Sequence, residues 1–377
     1  MTSVVIAGYK RSPFDRAGKG ALTKVRPDQM AADVVKALVA DSGVNPDDLE
    51  DLILGCAFPE GEQGFNMARN VVLLADLPES VAGTTVNRFC GSSMQSIHMA
   101  AGAIAMGAGQ AFICAGVESM TRVPMGGFNP LPHPGLMKSS AAYMGMGDTA
   151  ENLATKYQIS RAAQEEFAVE SHKRAAAAQA DGRFDGEIVP IQINGHAADK
   201  DGCIRPGTTA EGLSELRPAF NAEGTVTAGT SSPLTDGAAA TLVTTEEYAK
   251  ANGLNILGRI KSFAVAGCDP SIMGIGPVGA TKKAMERAGV SIDDIDVIEL
   301  NEAFASQALA CVHDLGIDLA KTNIDGGAIA LGHPLGATGA RITGKAAQIM
   351  NREGKGLALS TQCIGGGQGI ATIIEAV

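Results

Sequence analysis

The chain has 377 residues, 45% of them hydrophobic, a net charge of −11 and no tryptophan. That is enough apolar material for a large core and two domains. The acidic balance excludes the basic surface of a nucleic-acid binder, no apolar run approaches a membrane span, and the seven scattered cysteines form no C-x-x-C pair or metal-ligand spacing.

An odd number of dispersed cysteines suits a reducing compartment. The opening Met-Thr-Ser-Val-Val-Ile-Ala has no basic region or cleavage site, so no secretory signal is expected and a cytoplasmic location is. Val4 to Ala7 reads as a buried strand. Asp28 to Ser42 reads as a helix, with Ala31, Val34, Val35, Leu38 and Val39 on one face, ended by Gly43. Leu52-Ile53-Leu54 predicts a strand, Gly64 to Leu74 a helix, and Thr84-Thr85-Val86 an extended segment. A helix from Met94 to Met106 and a strand from Ala111 to Ala115 follow. Strands alternating with helices predict a largely parallel α/β sheet.

From Thr121 to Ala142 the chain is rich in Pro, Gly and Met and has no period. Helices are predicted over Thr149 to Tyr157 and Arg161 to Ala180, the latter with Ser160 as N-cap. Irregular polar sequence then runs to Thr230, so this section reads as an excursion that covers a site.

Cys90 lies in Val-Asn-Arg-Phe-Cys-Gly-Ser-Ser, between the Thr84 strand and the Met94 helix. There it faces unpaired N–H groups and the positive end of the helix dipole, which favour thiolate. A small buried apolar cysteine is the competing reading. The second half of the chain bears on the choice. Gly43, Val44, Asp47, Asp48, Leu54, Ala57 and Phe58 all recur 246 positions later, within Ala288 to Phe304. An internal duplication follows. The same offset carries Asn87 to His333 and Cys90 to Gly336, inside a second glycine-rich turn, Gly326 to Gly339. The two turns are expected to face each other across a pseudo-twofold axis. His333 then stands opposite Cys90 as a base opposite a nucleophile. Near the C-terminus, Gln-Cys-Ile-Gly-Gly-Gly-Gln-Gly places Cys363, a second candidate thiol, beside a run of free N–H groups.

Four blocks now carry a resemblance: Val86 to Ser96, Asn301-Glu302-Ala303-Phe304-Ala305, Gly326 to Arg341 with its Gly-His-Pro, and Cys363 to Gly367. In type and order they are similar to the signature blocks of the thiolases, over essentially the whole chain. The degradative branch that acts on 3-ketoacyl-CoA in fatty-acid β-oxidation is the nearest. The resemblance implies a duplicated α/β fold, five layers αβαβα built on two sheets, with a loop domain inserted in the first half. The halves would span 1–258 and 259–377, with the insertion at about 119–232. It implies that Cys90 takes the acyl group as a thioester and that His333 helps deprotonate it. With a water held by Asn301, His333 would also stabilise the acetyl-CoA enolate. Cys363 would move the α-proton, and the N–H groups of Cys90 and Gly365 would hold the tetrahedral oxyanion.

For coenzyme A, which is substrate rather than cofactor, the resemblance implies contacts from Arg205, Ala228, Ser232 and Met146. No metal or other cofactor is implied. An arginine also makes sense where an acidic protein binds an anionic tail, whereas Ser232 equally fits a hydroxyl capping the turn at Pro233. Biosynthetic acetoacetyl-CoA thiolases carry a histidine where Gly145 precedes Met146-Gly147-Asp148-Thr149-Ala150-Glu151-Asn152. Gly145 should leave room for longer acyl chains, in a channel lined by Met125, Met137, Met144 and Met146. Synthases that share the fold lack a second cysteine like Cys363, and a non-catalytic lipid carrier would be expected to lose one of Cys90, His333 and Cys363. The implied assembly is a homodimer or homotetramer, or a complex with a multifunctional β-oxidation subunit.

Overall fold

The computed structural model describes residues 2–377. In the first half, β1 (Val4–Arg11), α1 (Pro27–Ser42), β2 (Leu49–Gly55), α2 (Met67–Leu74), β3 (Ala82–Val86), α3 (Ser92–Ala105) and β4 (Ala111–Ser119) alternate as expected. The excursion carries α4 (Met146–Lys156) and α5 (Arg161–Ala180), and the half closes with β5 (Thr235–Thr245). The second half runs β6 (Gly258–Gly267), α6 (Gly276–Ala288), β7 (Val297–Leu300), α7 (Ala305–Leu315), α8 (Leu335–Arg352), β8 (Leu357–Ile364) and β9 (Gln368–Glu375).

The duplication is written in the strand order. The main sheet runs β7-β8-β9-β6-β1-β5-β4-β2-β3. Within one half β2 pairs β4 in parallel, then β5 and β1 follow antiparallel; within the other, β7 pairs β8 in parallel, then β9 and β6 follow antiparallel. Where β3 lies parallel to β2, the second half has only the single bridge of Ile298 to Thr322. Two separate sheets were expected. The ladder is instead continuous, because β1 and β6 pair at Val5–Arg259 and Ile6–Gly258, and only there. Beyond that short join the two blades part and leave room for helices between them.

Burial sets the layers. Ala111, Ile113, Ala115 and Val117 of β4 pack with α1 and α2, while Phe112 and Cys114 face the other way onto Ile97, Ala100 and Ile104 of α3. Alternate residues of one strand point to opposite faces, so a strand buried on both sides is apolar throughout. On the second blade α6 and α7 cover one face, and Ala346, Ala347 and Ile349 of α8 cover the other. The middle layer is the α3–α8 pair, where Ala340 N–H donates to Ser93 Oγ at 2.8 Å. Five layers αβαβα result.

Glycines bring the halves into contact. A Cβ on Gly116 of β4 would collide with the Gly336 carbonyl oxygen, and one on Gly336 would lie 2.5 Å from Val117 O. Gly116→Ala should therefore destabilise the fold by about 1–3 kcal/mol, the usual cost of overpacking. A lower denaturant midpoint with an unchanged slope would show it; an unchanged midpoint would mean the halves are not seated there.

Two further expectations need correction. The helix predicted from Gly64 begins at Met67, because Phe65 and Asn66 take left-handed backbone angles (φ 54° and 50°). Asn66 is held so by its side chain, which donates to Gly83 O and accepts from Thr85 N–H. The excursion is also less irregular than expected, since it contains the short helix Pro134–Ser139, the hairpin Ile191–Ile193 with His196–Ala198, and the helix Ala210–Ser214. It is anchored by buried charges. Arg11 of β1 makes paired bonds to Asp201 at 2.7 and 2.8 Å and reaches Glu187 at 2.7 Å, and Lys345 of α8 binds Glu187 at 2.8 Å. Removing one partner would strand a buried charge.

Candidate active site

Cys90 sits in a tight turn between β3 and α3. Phe89 adopts a left-handed φ of 43°, stabilised because Asn87 Oδ1 accepts its N–H at 2.8 Å. Ser92 Oγ accepts Arg88 N–H at 2.9 Å and donates to Phe89 O at 2.6 Å. Strain of this kind, fixed by its neighbours, is common where a side chain must be presented. A Cβ on Gly91 would fall 2.6 Å from Ile364 Cδ1, so glycine lets the turn press onto β8. There Gln362 Nε2 donates to Cys90 O.

The protonation state corrects the expectation of a thiolate. Burial pushes the Cys90 thiol up to about 11, the Gly365 N–H opposes this, and the Glu118 carboxylate adds to it. Desolvation outweighs the helix N-terminus, so the resting group is a thiol. Cys363, at the end of β8 and 1% exposed, is raised well above the usual thiol range, first by burial and then by the charge of Cys90. The two sulfurs are thus close enough to oppose simultaneous ionisation.

His333 is 5% exposed and its pKa falls to about 3, through burial and then the charge of Arg341. Its imidazole is neutral at neutral pH. Thr338 Oγ1 donates to Pro334 O at 3.2 Å and lies 2.6 Å from Nδ1. On that pattern Nδ1 carries the hydrogen and Nε2 the lone pair, so Nε2 can accept a proton. Asn301 Nδ2 stands 3.4 Å from Nε2, and Asn301 Oδ1 is buried without a protein partner. Leu335, two residues past His333, packs against Cys90 and Ala57, which brings the second turn onto the first. Asn301 thus meets His333, and the turn that follows His333 meets the turn of Cys90.

The residues assigned to coenzyme A are less uniform. Arg205 and Ala228 line a cleft of about 190 Å³ together with Arg16, His172 and Thr208. Ser231 and Pro233 line it too, but Ser232 turns its hydroxyl to Ala303 O at 3.0 Å and tethers the Asn301 segment. Met146 lies over Gly365: its sulfur is 3.7 Å from where a Cβ on that glycine would stand. The expected methionine channel does not close within one chain. Met125 and Met137 are 51% and 63% exposed, because the Pro- and Gly-rich segment around them packs against little.

Three participants escaped the sequence reading. Thr338 orients His333 from five residues downstream, Gln362 holds the Cys90 carbonyl, and Glu118 lies beside the nucleophile. Only Glu118 left a signal, as a lone carboxylate ending the apolar run Ala111 to Val117. Among the described residues no cluster of three or more His, Cys, Asp or Glu could hold a metal, and no helix is long and apolar enough to cross a membrane.

Comparison with known proteins gives the family. The thiolase N-terminal domain matches residues 4–247 and the thiolase C-terminal domain residues 254–376. The chain is 52% identical to the 3-ketoacyl-CoA thiolases of Photobacterium profundum and Pseudoalteromonas translucida, over all of both chains in each case. Human mitochondrial 3-ketoacyl-CoA thiolase, solved in complex with CoA, superposes with a TM-score of 0.92 at 37% identity, covering 100% of this chain and 98% of that one. With both thiolase domains matched over nearly its whole length and 52% identity to full-length thiolases, the chain belongs to the thiolase family.

Proposed function

We propose that this thiolase cleaves 3-ketoacyl-CoA with coenzyme A, giving acetyl-CoA and an acyl-CoA two carbons shorter, through an acyl group on Cys90. One observation carries the reading. Asn301 Nδ2 stands 3.4 Å from the buried, neutral His333, and the turn after His333 packs through Leu335 onto the buried Cys90, whose charge acts on the buried Cys363.

The steps follow from the groups present. His333 Nε2 takes the Cys90 proton, and the thiolate attacks the C3 ketone. The N–H groups of Cys90 and Gly365 hold the oxyanion that forms. When the C2–C3 bond breaks, the electron pair leaves as the acetyl-CoA enolate. Protonated His333 and a water on Asn301 stabilise its oxygen, and Cys363 donates its proton to C2. Cys363 becomes a thiolate only after Cys90 has become a neutral thioester, so the charge that raised it is gone. Coenzyme A then enters and gives its proton to Cys363. It attacks the acyl group, and Cys90 recovers its proton from His333. No metal or redox cofactor takes part in these steps.

Residues 119–232 act as the loop domain of a half spanning 1–258, with 259–377 as the other. Arg205 and Ala228 hold the coenzyme A tail in the cleft, with Met146 nearer the thioester. The enzyme works in the cytoplasm as a dimer or tetramer. One edge of β3 is unpaired, and Phe65 beside it is 95% exposed, which favours pairing with a second copy over remaining alone.

Kinetics with 3-ketoacyl-CoA substrates of graded length test the assignment. Activity should extend beyond acetoacetyl-CoA; cleavage of that substrate alone would place the enzyme in the biosynthetic class. Gly145 is exposed and is the N-cap of α4, next to Met146. Gly145→His should shift kcat/KM toward acetoacetyl-CoA by about tenfold, within the range that pocket bulk supplies. An unchanged preference would remove Gly145 from the acyl site.

A further inference from the structure

Glu118 is 0% exposed at the end of β4. Its Oε2 accepts Ala57 N–H and Gly336 N–H, both at 2.9 Å. Its Oε1 accepts from Gln63 Nε2 at 2.8 Å and from Phe58 N–H at 3.3 Å. Gly336 is the second residue of α8, whose N-cap, Pro334, has no side-chain cap of its own. A carboxylate from the other half thus caps the helix that follows His333. On the other side, Ala57 O accepts from Asn87 Nδ2 at 2.9 Å, and Asn87 also fixes Phe89, the residue before Cys90.

The duplication shows why a charge here is unusual. The counterpart of Ala57 is Ala303, whose N–H is satisfied by the neutral Gln307 Oε1 at 3.2 Å, and the position matching Glu118 is Ile364. One amide oxygen serves that single N–H, whereas four N–H donors converge on Glu118. Burying a carboxylate here costs desolvation, and the matching position of the other half, Ile364, carries none.

We propose that Glu118 is a positioning residue whose single buried carboxylate sets the turn of Cys90 and the turn of His333 at a fixed distance from each other. This rests on reading those two residues as nucleophile and base. Among the described residues Glu118 is the one charged group that acts on Cys90. Facing Glu118 is the Cys56 thiol, 3.7 Å from Oε1, and facing Cys90 is Cys363 of β8.

Two variants separate reach from charge. Aspartate keeps the charge but is one methylene too short to bond Ala57 and Gly336 together; glutamine keeps the length and removes the charge. Both should lower kcat by about 10–100-fold with KM within about threefold, the pattern of misplaced reacting groups. Alkylation of Cys90 by iodoacetamide, followed against pH and located by peptide mapping, supplies the second readout. In Glu118→Gln its midpoint should move to lower pH with the plateau rate unchanged, and in Glu118→Asp it should stay. Near-wild-type kcat in either variant overturns the proposal. So does a loss in Glu118→Gln with an unmoved midpoint, which would leave Glu118 only a packing residue. If Glu118→Gln does not fold, kcat of Glu118→Asp decides alone. Wild-type enzyme incubated with acetyl-CoA is the control: no acyl group on Cys90 there would sink the functional reading instead.

Discussion

Cys90→Ala is expected to abolish thiolysis, condensation and every half-reaction, while the protein keeps its fold. The side chain is small and buried in an apolar cluster with Ala57 and Leu335, so alanine fits the space. What is lost is the sulfur that would carry the acyl group. Without it no acyl-enzyme forms, and the remaining groups have nothing to act on. Turnover of any 3-ketoacyl-CoA above the background of a mock preparation would contradict the assignment of the nucleophile.

Cys363→Ala should fail in a different way. The nucleophile, its oxyanion donors and His333 all remain, so transfer of an acyl group from acyl-CoA to Cys90 continues. Condensation and thiolysis need a proton moved at the α-carbon, and their rates should fall by about 10²–10⁴-fold, the usual cost of losing a general acid/base. Burial raises Cys363 most, and among the charges that add to it Cys90 comes first. In wild type the two thiols therefore ionise one at a time, and acylation of Cys90 should make Cys363 easier to ionise. Selective alkylation of Cys363 at lower pH in the acylated enzyme than in the free enzyme would bear this out.

Much of the fold was legible because it is local or repeated. The apolar spacing in α1 and the cap at Ser160 are signals within a few residues, and the recurrence of Gly43 to Phe58 announced the second half. Features set by distant partners were not legible. The start of α2 depends on what Asn66 binds across 17 and 19 residues of chain. The junction of β1 with β6 depends on two residue pairs separated by about 250 positions. In the site, glycine-rich turns marked Cys90, His333 and Cys363, since free N–H groups need backbone that approaches closely. The sign of the Cys90 shift was misread because the sequence shows the helix N-terminus but not the depth of burial. Glu118 remained unseen as a clamp because its partner Gly336 lies 218 residues away.

The division of labour between the thiols is tested most directly in one sample of Cys363→Ala mixed with acetyl-CoA in deuterated solvent. Peptide mapping should find the acetyl group on Cys90, and the α-protons of acetyl-CoA should not exchange. Exchange that persists while Cys90 stays unacylated would reverse the roles of the two cysteines.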